Sequence, residues 1–271
     1  MKKQTIVYLL LVALFTLSLG SCSSDQRATE EYHQKASKAK SLYDTEKYGE
    51  AIDSMKRLPL YADAPMPSFA EMYNLGNAYY RKGELGLAIL YYERALRIEP
   101  RSKEVKHNLS IAQGKTEDRV EYVRSLSSEL WHKFCYQLPL GAIYFFSLFF
   151  AVLVVAGVLL YFLGARRLYR QWGFYGALCA IVLLLLTFCM LHQWRSDFYN
   201  PSEAIVVVGQ SVVKSEPHKE AQALFKLNEG TKLLQVKVSG ENEEKWAFVS
   251  LPDGKEGWVS LEDIQFIYPF Q

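Results

Sequence analysis

The chain has 271 residues, room for two modest domains besides its apolar segments, and a net charge of only +2. Without a global basic field it is not a charge-driven nucleic-acid binder. Half of the residues are hydrophobic, and no two of the four cysteines (Cys22, Cys135, Cys179 and Cys189) share a soluble stretch, which excludes a disulfide framework. The histidines at 33, 107, 132, 192 and 218 are scattered, with no pair at metal-ligand spacing on a helix. Nucleophile elbow, phosphate loop and dinucleotide fingerprint are all missing, so neither an enzyme nor a cofactor is expected.

At the N-terminus, Lys2 and Lys3 precede an apolar stretch from Ile6 to Leu19, the length of a signal-peptide core. Leu19-Gly20-Ser21-Cys22, followed by polar Ser23-Ser24-Asp25, resembles a bacterial lipobox. Residues 1–21 are therefore expected to be a lipoprotein-type signal peptide and Cys22 the lipidated first residue of the mature chain. The alternative is ordinary cleavage after the small residues Ser18 and Gly20, which leaves Cys22 a thiol. Either route exports the remainder of the chain.

Residues 28–127 carry a helical pattern broken at Pro59, at Pro65 and Pro67, and at Pro100. Within it, Phe69 to Pro100 resembles a tetratricopeptide repeat: Leu75-Gly76, Tyr79, Gly83, Ala88, Tyr92, Ala95 and Pro100 fall at that motif's spacings. Gly76 and Ala88 let two antiparallel helices touch; Leu75, Tyr79, Tyr92 and Ala95 fill the seam; Gly83 makes the turn and Pro100 ends the second helix. Met72 stands where the motif usually has tryptophan. An upstream unit places Tyr48 and Ala51 at equivalent positions. A downstream one starts at Lys103, with Asn108 and Leu109 each 34 residues after Asn74 and Leu75, and is expected to cap the stack. The resemblance implies a peptide-holding groove lined from the first helix of each repeat, by Tyr73, Asn77, Tyr80 and Arg81, with His107 from the next unit and Asn74 and Asn108 beside them. The residue types leave an alternative open. Tyr73 and Tyr80 can pack, Asn74 and Asn108 can bond neighbouring turns, and Arg81 can sit as a solvated cation at a helix C-terminus.

Two charge-free runs come next, residues 140–163 and 173–191. As helices they extend about 36 and about 28 Å, enough to cross a hydrocarbon core of about 30 Å. The loop between them, residues 164–172, holds Arg166, Arg167 and Arg170, and short arginine-rich loops stay in the cytoplasm. This transmembrane hairpin would put both flanking domains on the periplasmic side. The alternative, a buried hairpin in a soluble core, sits badly with helices this long and charge-free on every face. The lack of ionisable residues in either run argues against an ion or proton path.

After a polar tether from Arg195 to Glu203 the period shortens, and residues 203–271 read as short strands divided by turns at Asn228-Glu229-Gly230 and Asp253-Gly254. Lys245 to Val249 and Gly257 to Val259 form a hairpin. Five or six such strands fit a small closed barrel, and the motif order resembles a bacterial SH3-like domain. Val259-Ser260 replaces the proline that follows Gly-Trp in PxxP-binding relatives, which argues against PxxP recognition. Trp246 and Trp258 are expected in the core and at the barrel rim.

Export signal, all-α tetratricopeptide stack, membrane hairpin and all-β SH3-like barrel, in that order, resemble the BatE-like family of the Bacteroidetes aerotolerance operon. Tyr73 to Tyr80, Lys106 to Leu109, and Asp253-Gly254 with Gly257-Trp258 carry the likeness. The resemblance implies an envelope complex at the inner membrane with von Willebrand factor A-type membrane proteins and a MoxR-type ATPase, linked to oxygen or stress tolerance. The expectation is a non-enzymatic, membrane-anchored scaffold that binds protein partners. The competing expectation is an envelope sensor or anchor that grips peptidoglycan through the SH3-like domain.

Overall fold

The computed structural model describes residues 26–56, 68–118, 126–238, 246–251 and 253–268. The expected signal peptide, residues 1–21, and Cys22 lie outside them. The chain divides into two compact units that meet between Pro65 and Met66. The first contains α1 (Gln26–Asp44) and α2 (Tyr48–Lys56), whose seam buries Ala39, Ala51 and Ile52. Tyr43 and Tyr48 meet edge to face across the turn, with ring centroids 5.4 Å apart.

The second unit begins with α3 (Phe69–Lys82), opened by a capping box. Ser68 Oγ accepts from the Glu71 amide (3.2 Å), and Glu71 Oε2 accepts from the Ser68 amide (2.8 Å). Gly83 ends α3 at φ +92°, a left-handed conformation that costs glycine little, and Glu84 N–H closes the turn on Tyr79 O at 3.1 Å. The next helix, α4 (Leu85–Ile98), is apolar almost all round, and such a helix must be covered on more than one side. Ala88, Ile89, Leu90, Tyr92 and Ala95 are all 1% exposed or less. One face of α4 meets α3 and α5 (Lys103–Gln113), and the opposite face meets the β-region. A Cβ on Gly76 would lie 2.6 Å from the Tyr92 ring, so the α3–α4 seam needs glycine there.

After α6 (Leu126–Cys135) come the two apolar helices, α7 (Leu140–Leu163) and α8 (Arg167–Phe198). Both are long and apolar enough to cross a membrane. They pack along their length, and Gly173 sits so close to α7 that a Cβ would fall 2.6 Å from Tyr161 N. Their outward side chains, among them Phe145, Leu148, Phe162 and Phe188, are exposed. Two boundaries differ from the sequence reading. The arginine segment is mostly helical, since α8 begins at Arg167, and Arg195 to Phe198 continue α8 instead of forming a tether. The apolar run stops at Leu191, but Trp194 and Asp197 one and two turns later find partners on α6 and the residues after it.

Among the described residues the C-terminal region holds eight short strands: β1 (Ala204–Val206), β2 (Gln210–Lys214), β3 (Ala223–Asn228), β4 (Lys232–Leu233), β5 (Gln235–Val238), β6 (Trp246–Ser250), β7 (Glu256–Ser260) and β8 (Ile264–Phe266). They form two open antiparallel sheets, ordered β4-β1-β8 and β3-β2-β7-β6-β5, where one closed barrel of five or six strands was expected. The chain changes sheet four times, between β1 and β2, β3 and β4, β4 and β5, and β7 and β8, so no single ladder runs round. The sheets share one core of Val206, Leu233 and Ile264 from the first with Val213, Val249 and Val259 from the second. The expected hairpin is present as β6–β7, with Trp246 opposite Ser260 and Phe248 opposite Trp258. Trp246 is buried and Trp258 half-buried.

Candidate functional site

The residues singled out as groove-lining divide into two groups. Tyr73, Asn77 and Asn108 form one hydrogen-bond network with Tyr92 and Glu104, which ties α3, α4 and α5 together. Tyr73 Oη donates to Glu104 Oε1 (2.6 Å), Asn108 Nδ2 donates to Tyr73 Oη (2.9 Å) and to Asn77 Oδ1 (3.1 Å), and Tyr92 Oη donates to Asn77 Oδ1 (2.7 Å). Burial and the Glu104 carboxylate push the Tyr73 hydroxyl above its ordinary pKa, which keeps it a donor. Asn77 thus receives a bond from Tyr92, which is only 1% exposed. Removing it would disturb the seam as well as the surface. The second group stays on the surface: Asn74, Arg81 and His107 are exposed, and Tyr80 is half-buried under Lys115, whose Nζ lies 4.4 Å from the ring centroid. Three polar side chains and a cation-covered tyrosine therefore line the face formed by α3 and α5.

The opposite face of α4 is occupied. Gly86 N–H donates to Glu229 Oε1 at 2.7 Å, and Arg94 Nη2 donates to the Phe266 carbonyl at 2.9 Å. Asp118, after α5, accepts from the Asn228 amide (2.7 Å), the Asn228 side chain (2.9 Å) and the Thr231 hydroxyl (2.7 Å). Glu93, Lys232, Glu203 and Arg97 form an ion network. Lys232 Nζ is 2.9 Å from Glu93 and 3.1 Å from Glu203, while Glu203 also takes the Arg97 guanidinium. The Arg97 and Glu203 side chains are 10% and 11% exposed. Burial alone would raise the Glu203 pKa, but Lys232 and Arg97 outweigh it and hold the carboxyl below its usual range. Burial likewise opposes charge on Lys232, and Glu93 and Glu203 outweigh it, raising its pKa. The same balance holds Asp118 low: burial pushes up, and the three donated bonds pull further down. A cavity of about 390 Å³ opens beside this network, bordered also by His132, Tyr136 and Asp197.

Residues 70–102 match the family model of the tetratricopeptide repeat. The α3–α4 pair is such a repeat. No curated protein matches the chain. Repeats of this kind stack into interaction surfaces and are typically without catalytic groups. Here one side of the repeat is taken by the chain's own C-terminal region and the other carries Asn74, Arg81 and His107. Among the described residues no three His, Cys, Asp or Glu side chains come together as a metal site.

Sequence reasoning missed the docking residues Gly86, Glu93, Arg97, Asp118, Glu203 and Lys232. No local signal could have revealed the charged ones, because their counterparts lie some hundred residues away in the chain. The near-continuous apolar run Leu85 to Tyr92 was the one available sign that α4 is covered twice.

Proposed function

We propose that the protein is a non-enzymatic, membrane-anchored scaffold. In this reading α7 and α8 cross the inner membrane as a hairpin. The arginines at 166, 167 and 170 stay cytoplasmic, and the repeat and an SH3-like C-terminal region face the periplasm. Cys22 adds a lipid anchor. A partner's extended segment or helix lies on the α3–α5 face, against Asn74, Tyr80, Arg81 and His107, with Tyr73, Asn77 and Asn108 shaping the floor beneath. Von Willebrand factor A-type membrane proteins are the partners the family resemblance suggests, in an envelope complex serving oxygen or stress tolerance.

One observation carries this reading: the C-terminal region covers the back of α4 and leaves the α3–α5 face, with its exposed polar side chains, to solvent. The membrane part draws support from the exposed apolar side chains all along α7 and α8, because monomeric soluble proteins rarely leave so large an apolar surface uncovered.

The test is a double substitution of exposed residues, Asn74→Ala with Arg81→Glu, in the full chain. Exposed substitutions usually move stability by about 0.5 kcal/mol or less, whereas reversing a charge at a working contact costs several times that. The expected result is an unchanged melting curve and loss of capture of the von Willebrand factor A-type partner from solubilised envelopes. Undiminished capture would remove the α3–α5 face from the reading.

A further inference from the structure

Helix α6 presents an apolar face that no part of the described chain covers. Leu126 is 73% exposed, Leu130 58%, Phe134 43% and Trp131 37%, and Leu138, just beyond the helix, is 37% exposed. At 3.6 residues per turn the four within the helix fall within an arc of about 140°. The remainder of the helix is accounted for. Cys135 is buried, with its carbonyl accepting from Trp194 Nε1 (3.2 Å), and His132 lies 3.2 Å from Asp197, whose carboxylate also accepts from Tyr136 Oη (2.5 Å). Glu129 and Lys133 pair at 2.6 Å beside the apolar arc. The helix is therefore held against α8 on one side, flanked by charge, and bare on the other.

Three features say what covers the bare side. Its contacts on α8 run from Met190 to Asp197, where the apolar run of that helix ends at Leu191. It is joined to α7 by only Tyr136 to Pro139, and its exposed apolar residues continue into exposed Leu140 and Tyr144 at the start of α7. Trp131 donates Nε1–H to Gln193 Oε1 at 3.3 Å while its ring packs beside Phe134, with centroids 5.9 Å apart; one end is wet and the other apolar, as suits a tryptophan at a bilayer surface.

We propose that α6 is a membrane-surface helix, with Leu126, Leu130, Trp131, Phe134 and Leu138 seated in the boundary between headgroups and acyl chains of the bilayer that α7 and α8 cross. The inference rests on the membrane reading of those two helices. An amphipathic helix in this position binds through its apolar area. Because its other face is pinned to Trp194 and Asp197, it fixes the tilt of α8 where that helix leaves the bilayer, and so fixes the height at which the repeat is held.

The experiment places a benzophenone photoprobe singly at the positions of Glu129, Leu130, Phe134 and Phe149 in the full chain, reconstituted in phosphatidylethanolamine–phosphatidylglycerol vesicles. All four positions are exposed, so the probe has room. The expected result is lipid adducts at 149, 130 and 134 and their loss at 129. Adducts at 149 with none at 130 and 134 would overturn the surface-helix proposal and leave the membrane hairpin standing. Equal labelling at 129 would overturn it too, as would protein adducts replacing lipid at 130 and 134, which would assign the face to a protein partner. No lipid adduct at 149 would sink the hairpin reading itself, and this proposal with it.

Discussion

Gly86 and Gly49 occupy the same place, the second position of a helix, and the structure predicts opposite outcomes for the same substitution. A Cβ on Gly86 would lie 2.6 Å from Val206 O, 2.8 Å from Glu229 Cγ and 3.1 Å from Val207 Cα. The glutamate can swing aside, but Val206 cannot, since its carbonyl accepts from Gly230 N at 2.9 Å and its amide donates to Thr231 O at 3.0 Å. Gly86→Ala must therefore push β1 off α4, an overpacking cost of about 1–3 kcal/mol. Against it stands the helix-propensity gain of alanine over glycine, at most about 1 kcal/mol. The net is a weakening of docking by about 1–2 kcal/mol, or roughly 5- to 30-fold in the open population. Gly49, with nothing within 4 Å of its Cβ position, has only the gain, so Gly49→Ala should stabilise α2 by up to about 1 kcal/mol. Native-state hydrogen exchange on the full chain in nanodiscs, followed on peptides covering α4 and β1, reads the first effect; peptides covering α2 read the second. Unchanged or slower exchange at α4 and β1 in Gly86→Ala would refute the docked arrangement.

The same contacts dictate two further outcomes. Glu203 and Asp118 have depressed pKa values, so the docking stability they contribute is present above the ordinary carboxylate range near pH 4 and is lost as pH falls through their folded values. Lys232 is raised, so its contribution is present below about pH 10.4 and is lost as pH rises through its folded value. A fluorescence-transfer pair on exposed Lys103 and Lys237 should hold a plateau between those limits and fall at both ends, and Glu203→Gln should weaken the plateau. In the seam, Asn77→Ala takes an acceptor from the buried Tyr92 hydroxyl and should cost about 1–2 kcal/mol in thermal unfolding; in a Tyr92→Phe background the penalty should shrink, and strict additivity would show that the two do not interact.

How much was legible in the sequence varies by element. The repeat could be read because it is built from local rules: small residues at 76 and 88 where helices touch, seam residues at 75, 79, 92 and 95, and a glycine at 83 where only a left-handed residue closes the turn. The limits of α7 were equally plain, since an uninterrupted apolar run bounded by Pro139 and Gly164 leaves little choice. The β6–β7 hairpin followed from strand alternation around Asp253-Gly254. The residues proposed for the groove could be named from the sequence, but which of them bond to one another could not. Which of Tyr73, Asn77 and Asn108 turn inward depends on the neighbouring helix 31 to 35 residues away, and side-chain bonds at that separation leave no mark on local periodicity. The same holds for sheet closure, decided by corners after Val206, Asn228, Leu233 and Ser260 where the chain passes from one ladder to another. Farther still along the chain, Glu203 meets Arg97 across 106 residues and Asp118 meets Thr231 across 113. A lone charge in a sequence reads as solvated until folding supplies its counterpart. The sequence by itself determined which segments are helix, apolar run and strand, because propensity and period act over a few residues. Only the tertiary structure decided which face of the repeat is closed and which stays open, because that choice rests on contacts between segments a hundred residues apart.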